Sequence, residues 1–389
     1  MGLCFFSRLA ICGCLVLLAD EVSSWTNNAP NPVVTTRGAD SIVFNKKKIQ
    51  VDPPTALQKY LDRAGVFRLC DIGPTKYGRG LVARRDLQPG ETVLRIPLSQ
   101  TIVIETSQSS QEASSISDAW AGQLAQKLIK EQQNTKENVS NIIRTYSDVL
   151  PPPPPTPARG DWSLEVLQML GHSDILRDIE IAQAWRNDQW EMFGESNGAL
   201  GDQQRFFDAL DLVSSRTIRC GSKFMLVPFL DMANYASRDQ GGGYYSLVKG
   251  PRGDDEIELK IGDRGVKTGG EVFLDYGDRS NEEWLIYYGF LPDRNTAESI
   301  ILPDSPYTIT WDDVNGARDE SLKEECKLVL YRSSTTLIDD MQTLNELEAD
   351  ENNNDITKVL ALKYRIARKT LLSAVAGAKT SSAFTSAFL

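Results

Sequence analysis

The sequence predicts an α+β protein with a small helical unit at its C-terminus. Segments with the two-residue period of strands, separated by glycine-rich turns, occur between residues 225 and 276. Apolar residues recur at helical spacing in much of the region 117–218, and again after Pro303. With 389 residues, of which 41% are hydrophobic and 24% charged, the chain is long enough for one large and one small domain.

Charge and histidine content exclude several classes of function. The 42 basic residues against 53 acidic ones give a net charge of −11, which disfavours a nucleic-acid partner. His172 is the single histidine, so a multi-histidine metal site is excluded, and a Ser-His-Asp or Cys-His centre would depend on it alone. The cysteines beyond the leader, Cys70, Cys220 and Cys326, are odd in number and widely spaced, which fits neither a disulfide framework nor a zinc site. We therefore expect no metal and no nucleic acid.

The N-terminal residues have the composition of targeting segments. Residues 1–24 combine Arg8, the apolar stretch Leu9–Ala19 and a run of small residues, which predicts a removable secretory signal peptide. The stretch falls short of the ~20 residues that a membrane span needs, so we expect no membrane association after removal. Residues 25–50 are basic and rich in hydroxyl residues, like a transit peptide, and Trp25 stands at the junction. This arrangement resembles the bipartite leader of plastid proteins in algae with secondary plastids, and it favours a plastid over the alternative of a secreted or endomembrane protein.

The first part of the body is predicted as a hairpin followed by helices. The segments Leu81–Ala83 and Thr92–Ile96, on either side of a Pro-Gly turn, predict a β-hairpin. Residues Ser117–Gln132 have one apolar stripe and predict a helix. The run Pro151–Pro155 predicts a polyproline-II spacer at the surface between helical segments.

The remaining elements follow from periodicity. Helices are predicted at Trp162–Leu170, Ile175–Phe193, Gln203–Ile218, Ser321–Leu347 and Ile356–Ala376. Strands are predicted at Met225–Leu230, Tyr244–Val248, Glu256–Ile261 and Val272–Tyr276. Another helix is expected to begin near Ser280, which would cap it. Residues 377–389 predict a disordered tail.

Three separated segments are informative together. They are Tyr77–Ala83, then Ser214–Arg216 with Leu226–Tyr235, then Gly270–Gly277 with Tyr287–Phe290. In this order they resemble the SET-domain protein-lysine methyltransferases, in particular the plant Rubisco large-subunit methyltransferase class, which has a split SET domain and a helical substrate-binding domain. The resemblance continues into the two C-terminal helices.

The resemblance implies a SET-domain β-fold over residues 51–300, with a helical insert at about 113–210. It also implies a small all-helical C-terminal domain at 301–376. Only about 40 residues separate Phe290 from Tyr331, so this substrate-binding domain is predicted to be shorter than is usual in the family.

The resemblance also implies S-adenosylmethionine as methyl donor. The donor's methionine end would lie against Tyr77, Gly78, Arg79 and Gly80, where glycine permits close backbone approach. Arg216 matches the family's donor-contacting arginine, whose planar fork suits a carboxylate. The family's Asn-His pair beside the adenine occurs here as Asn234 and Tyr235, a departure at the second position.

Tyr288, the tyrosine of the Tyr-Gly-Phe motif, and Tyr276 match the family's catalytic tyrosines. Methyl transfer from a sulfonium needs an aligned, neutral amine and the exclusion of water, and tyrosine rings and hydroxyls suit these tasks. The resemblance implies substrate-facing roles for Asp231, Arg216 and Tyr244.

The implied acceptor is a lysine on a protein. A histidine-directed relative lacks the tyrosine that matches Tyr288, which favours lysine here, and the absence of cysteine-rich zinc segments favours a non-histone substrate. A plastid location points to the Rubisco large subunit or another stromal protein. The alternative is a non-catalytic SET-like protein-binding module, which Tyr235 and the short C-terminal domain favour.

Overall fold

A computed structural model describes residues 53–106, 119–133, 141–152, 154–194, 202–251, 253–303, 305, 307–315, 320–350 and 355–377. The predicted signal peptide, the transit-peptide-like segment and the tail beyond Gly377 lie outside the described residues. Within these ranges the chain combines helices with antiparallel sheets, as the α+β prediction requires.

The N-terminal half of the body contributes one helix and five strands to the described structure. They are α1 Pro53–Arg63, β1 Phe67–Arg68, β2 Cys70–Thr75, β3 Gly78–Ala83, β4 Thr92–Pro97 and β5 Ile102–Glu105. The later strands of the body are β6 Ile218–Cys220, β7 Lys223–Leu226, β8 Tyr244–Lys249, β9 Asp255–Lys260 and β10 Glu271–Val272. Three small antiparallel sheets result, with strand orders β1-β4-β9-β8, β10-β3-β2 and β5-β7-β6.

The hairpin predicted between Leu81–Ala83 and Thr92–Ile96 is wrong. Strand β3 pairs with β2 across the two-residue turn Lys76–Tyr77, and Gly78, the first residue of β3, has a φ of +90°, a conformation that favours glycine. Strand β4 instead lies between β1 and β9 in another sheet. The Pro-Gly turn between the two segments therefore connects different sheets, and Leu87 beside it bridges to Val266.

Two segments that are distant in the sequence lie side by side and are joined by isolated β-bridges. Tyr235 and Gly243 each pair with Leu274 in parallel orientation. The backbone N–H of Leu274 donates to Asn234 O at 2.8 Å, and that of Ala236 donates to Leu274 O at 3.2 Å. The predicted strand Val272–Tyr276 is consequently short, but its remainder is held against the second motif segment.

The helices between β5 and β6 contact the sheet β5-β7-β6 through the first of them. They are α2 Trp120–Gln133, α3 Asn141–Ser147, α4 Leu164–Met169, α5 Ser173–Phe193 and α6 Gln203–Arg216. The stripe predicted on α2 is buried, with Trp120, Leu124 and Leu128 at most 3% exposed. Helix α6 ends before the predicted Ile218 because Ile218 pairs with Met225 as the first residue of β6.

The proline-rich segment lies at the surface only in part, because Pro152 is exposed whereas Pro154 is buried. Thr156 is also buried, and Trp162 Nε1 donates to Pro155 O at 2.9 Å. A Cβ placed on Gly289 would lie 3.3 Å from both Pro154 Cβ and Thr156 Cγ2. The end of the proline run therefore packs beside the Tyr-Gly-Phe motif.

The segment after the body begins with α7 Asn281–Glu283 and a π-helical turn, Trp284–Tyr288. The C-terminal unit then contains β11 Ser299–Ile301, β12 Thr308–Thr310, α8 Asp312–Asn315, α9 Glu320–Tyr331, α10 Leu337–Ala349 and α11 Ile356–Val375. The β11–β12 hairpin is an addition to the all-helical unit that the sequence predicts. The predicted helix Ser321–Leu347 is interrupted because Thr336 caps α10 through a capping box with Asp339.

The C-terminal unit has its own apolar core, in which Ile300 and Ile309 of the hairpin pack against Leu371 and Val375 of α11. Asp340 is fully buried and pairs with Arg365 and Lys369 of α11. Across the residues that the structure describes, no helix combines the length and apolarity needed to span a membrane.

Candidate active site

The turn between β2 and β3 presents the Gly-x-Gly motif to the other two motif segments. A Cβ placed on Gly80 would lie 2.6 Å from Glu271 Oε1 and 2.8 Å from both Asn234 Nδ2 and Thr75 Cγ2. Real Cβ contacts are longer, so any side chain at this position would displace a neighbour. Glycine is therefore required where β3 meets the second and third motif segments.

Asn234 ties the three motif segments together. Its Nδ2 donates to Glu271 Oε1 at 2.6 Å, to Thr75 Oγ1 at 3.3 Å and to Arg79 O at 3.3 Å. Asn234 is 4% exposed. Burial raises the pKa of Glu271, and the hydrogen bond from Asn234 opposes that rise. The side-chain amide thus holds the Gly-x-Gly hairpin against β10.

Arg216 and Asp231, predicted to contact donor and substrate, form an ion pair in the interior. Arg216 Nη1 donates to Asp231 O at 3.0 Å and to Asp231 Oδ2 at 3.2 Å, and Tyr146 also donates to Oδ2. Both members are at most 1% exposed. Burial raises the pKa of Asp231, against the effect of Arg216 and Tyr146. Phe229, two residues earlier, has a φ of 78°, and such strain costs on the order of 1–3 kcal/mol and concentrates at functional sites.

Five aromatic rings form one cluster, which we call the aromatic cluster: Tyr235, Tyr276, Trp284, Tyr288 and Phe290. Ring centroids are 4.6 Å apart for Tyr235 and Trp284, 4.8 Å for Trp284 and Tyr288, and 6.4 Å for Tyr276 and Tyr288. Trp284 and Tyr288 are fully buried. The two predicted catalytic tyrosines are therefore neighbours, and Tyr235 occupies the same cluster.

The hydroxyl of Tyr276 donates to Ala233 O at 2.7 Å, which links the third motif segment to the second. The guanidinium carbon of Arg279 lies 5.3 Å from the centre of the Tyr288 ring and 5.9 Å from that of Trp284. Both distances are within the range of cation–π attraction. A permanent positive charge therefore flanks the aromatic cluster.

Local sequence explains how Tyr288 reaches this position. Ser280 accepts from the backbone N–H of Glu283, and the Glu283 side chain accepts from the backbone N–H of Ser280, which makes a capping box. The following π-helical turn places Trp284 and Tyr288 in the aromatic cluster, and such turns are frequent at functional sites. Gly289 ends the turn with a φ of +72°.

The other predicted donor-binding residues lie on the β2–β3 turn. The Tyr77 hydroxyl donates to Asp293 Oδ2 at 3.1 Å, and Lys76 Nζ pairs with the same oxygen at 2.8 Å. Arg79 donates to the backbone oxygen of Val149, beside α3. These contacts connect the turn to the segment after the Tyr-Gly-Phe motif and to the helical layer.

Tyr244 is the predicted site residue that the structure keeps apart from the aromatic cluster. Its ring lies under Arg238, with the guanidinium carbon 4.6 Å from the ring centre. Arg238 in turn pairs with Asp275 at 3.4 Å. The glycine run before β8 leads directly into Tyr244, and its substrate contact stays a prediction.

Sequence reasoning missed four residues of the site: Tyr146, Glu271, Arg279 and Trp284. Trp284 is four residues before Tyr288, the spacing of one helix face, so its place in the cluster had a detectable signal. Glu271 lies inside the third motif segment, but its contact with Asn234 forms only because the fold brings the second and third segments together. No sequence pattern indicated Tyr146, because it reaches Asp231 from a separate helix.

His172 has a structural role. It precedes α5, and its ring nitrogen lies 2.8 Å from the Tyr364 hydroxyl of α11. Burial lowers the pKa of His172 to about 3, so the ring is neutral. Among the residues that the structure describes, no three histidine, cysteine, aspartate or glutamate side chains are grouped as a metal site would need.

Comparison with other sequences identifies plant relatives. No protein-family profile matches the chain. It is 26% identical over 244 residues to the chloroplastic ribulose-1,5-bisphosphate carboxylase/oxygenase large subunit N-methyltransferase of Nicotiana tabacum, covering 58% of this chain and 48% of the tobacco protein. It is 25% identical over 284 residues to Protein SET DOMAIN GROUP 40 of Arabidopsis thaliana, covering 59% of this chain and 53% of that protein. The chain thus spans about half the length of these relatives.

Comparison with solved structures identifies the fold. The SET domain of LSMT bound to lysine and AdoHcy matches with a TM-score of 0.61 and 19% identity, covering 86% of this chain and 91% of that one. Rubisco LSMT bound to AdoMet matches with a TM-score of 0.60 and 18% identity, covering 86% and 92%. The predicted α+β SET-domain fold is confirmed.

Proposed function

We propose that the chain transfers a methyl group from S-adenosylmethionine to a lysine side chain of a protein. The observation that carries this proposal is the meeting of three distant motif segments at Asn234, next to the buried pair Tyr276 and Tyr288. Sequence similarity to the tobacco N-methyltransferase and the LSMT fold support it.

The residues around the β2–β3 turn suit the donor. We assign Gly78 and Gly80 to the methionine end of the donor, because a glycine backbone can approach a ligand closely. The Cβ side of Gly80 itself is filled by Glu271 and Asn234. Tyr77 and Arg79 flank this turn. Arg216, Asn234 and Tyr235 complete the proposed donor-binding set, with the guanidinium of Arg216 beside Asp231.

Methyl transfer to a lysine side chain does not require a strong general base. The lysine ammonium loses its proton to water, and the amine lone pair then forms the N–C bond while the sulfonium S–C bond breaks, leaving S-adenosylhomocysteine. The hydroxyl of Tyr276 donates its proton to Ala233 O, so we assign it the role of an acceptor toward the amine or the methyl C–H groups. We assign two tasks to Tyr288, which is 0% exposed: its hydroxyl orients the amine, and its ring helps to exclude water.

We propose a non-histone acceptor in the plastid, with the Rubisco large subunit as the first candidate. The chloroplastic tobacco relative supports the compartment and the acceptor. The leader-like composition of residues 1–50 supports the same compartment. Asp231, which is buried with Arg216, would act on the acceptor lysine through the field of this pair.

The test is to incubate the purified chain with S-adenosylmethionine and either free L-lysine or Rubisco holoenzyme, and to detect methyllysine by mass spectrometry. We expect methyllysine on the large subunit, and none with S-adenosylhomocysteine in place of the donor. Donor binding by the folded chain without transfer to either acceptor would favour the non-catalytic protein-binding module. Transfer to free lysine but not to Rubisco would support lysine methylation and would exclude Rubisco as the acceptor.

A further inference from the structure

A cavity of about 280 Å³ lies between the segment that follows the Tyr-Gly-Phe motif and helix α11. We call it the strap cavity. Its apolar walls include Phe290, Trp311, Leu344, Leu360 and Ile366. It shares Phe290 with the aromatic cluster but includes none of the predicted site residues. A space of this size exceeds that of one ordered water and approaches the range of small-ligand pockets.

One carboxylate, Glu298, stands in this apolar wall. Glu298 is 4% exposed. Its Oε2 accepts from the backbone N–H of Asn281 at 2.6 Å and from Asn295 Nδ2 at 3.2 Å. The hydrogen bonds that the described residues make to this carboxylate all go to Oε2 and leave Oε1 for a ligand. A ligand that donates to Oε1 would add a charge-assisted hydrogen bond in a mostly apolar cavity.

The charges around the strap cavity favour a cation. Its lining contains Glu298 and Asp293 against Lys363, and Lys363 already pairs with Glu348 at 2.9 Å. Asp293 likewise pairs with Lys76. The charge of Arg368 also acts on Glu298, but no ion pair joins the two in the described structure, so Glu298 is the lining carboxylate that a ligand can pair with.

We propose that the strap cavity binds an aliphatic cation, an ammonium or guanidinium group on an apolar stem, with Glu298 as its counter-ion. The stem would lie along the apolar wall and the charged head would meet Oε1. A basic side chain of a protein and a free amine share this chemistry. The proposal goes beyond methyl transfer and does not depend on it.

Proton exchange gives the proposal a second signature. Burial raises the pKa of Glu298 to about 8, with Glu283 acting in the same direction and the Asn281 N–H, Arg368 and Asn295 opposing it. At pH 7 the carboxyl is mostly protonated, so binding of a cation releases a proton. Affinity should then rise about tenfold between pH 7 and pH 9, as Glu298 becomes ionised.

The experiment titrates the full chain with n-butylguanidinium, which stays charged over this range, and with n-butylurea, its neutral counterpart of the same shape. We expect n-butylguanidinium to bind at least tenfold more tightly than n-butylurea. Glu298→Gln should abolish that difference and the pH dependence, while its amide oxygen still accepts from Asn281. Glu324→Gln, the matched control on α9, removes a glutamate whose partner Lys327 lies outside the cavity lining, and it should change affinity less than twofold.

A third variant covers the case in which Glu298→Gln does not fold. Leu344→Trp fills the strap cavity from α10 and should remove n-butylguanidinium binding. Equal affinity for the charged and neutral probes in the wild type would overturn the proposal, as would unchanged binding in folded Glu298→Gln. Titration with an acetylated Ala-Arg-Ala amide distinguishes a basic protein side chain from a free amine as the ligand. Glu298-dependent binding of this peptide assigns the cavity to a protein side chain, whereas binding of n-butylguanidinium alone assigns it to a free amine.

Discussion

Asn234 donates its side-chain amide to Glu271 Oε1 at 2.6 Å, across two segments separated by 37 positions in the sequence. The same amide reaches Thr75 and Arg79 of the β2–β3 hairpin. Glu271 therefore positions Asn234, and through it the turn that we assign to the methyl donor.

Glu271→Gln tests this positioning role. The substitution keeps shape but replaces a charge-assisted hydrogen bond with a neutral one, which costs about 1 kcal/mol. We expect the Kd for S-adenosylmethionine to rise about fivefold in calorimetric titration, with unfolding little changed. Glu256→Gln, on strand β9, is the control and should leave the Kd unaltered. An unchanged Kd in Glu271→Gln would show that Asn234 needs no such partner.

Tyr288→Phe separates chemistry from donor binding. The ring stays in the aromatic cluster, but the hydroxyl is lost, so we expect methyl transfer to free L-lysine to fall by about 100-fold or more. The Kd for the donor should stay within about twofold. Tyr287→Phe, in the same turn, is the matched control. Full turnover by Tyr288→Phe would remove Tyr288 from the catalytic assignment.

Arg216→Met tests the buried ion pair. The variant leaves Asp231 ionisable, fully buried and without its cation, and breaking such a pair costs about 3–5 kcal/mol. We expect denaturant unfolding to shift to clearly lower concentration. The double variant Arg216→Met with Asp231→Leu should recover part of the loss. Equal stability of the single variant and the wild type would contradict the pairing.

Stability should decline as pH rises from about 5 to 8.5. Burial raises the pKa of Glu282 and of Glu298 to about 8 each, with Asp178 adding to the first and Arg368 opposing both. The folded state therefore holds protons that the unfolded state, with an ordinary glutamate pKa, has already released. This contribution is complete below about pH 4.5 and is lost as pH rises through 8. Thermal unfolding across this range should show a falling Tm, and a flatter profile in Glu282→Gln with Glu298→Gln. If the Tm of the wild type instead rose with pH over this range, this assignment would be refuted.

The sequence predicts the local parts of the site because these parts depend on neighbouring residues. The Ser280 cap, the apolar stripe of α2 and the Gly-x-Gly turn each follow from a short pattern. The pairing of Tyr276 and Tyr288 came instead from the order of the motifs in a resembling family. The confirmed fold supports that use of motif order.

Contacts between distant segments were beyond sequence reasoning. The bond from Asn234 to Glu271 requires Leu274 to pair beside Tyr235, and no periodicity encodes that crossing. The proline run was expected at the surface as a polyproline-II connection between helical segments, yet Pro154 is buried and packs next to Gly289. The break before α10 was readable, since Thr336 and Asp339 have capping-box spacing.

Calorimetric titration of the purified chain with S-adenosylmethionine, beside Gly80→Leu, tests most directly whether the donor binds at the β2–β3 turn. We expect saturable binding at one site in the wild type. We expect loss of binding in the variant, because a leucine side chain would enter the space held by Asn234 and Glu271. Two results would contradict the assignment of the donor to this turn: no heat of binding with the folded wild type, or the same heat of binding with folded Gly80→Leu as with the wild type.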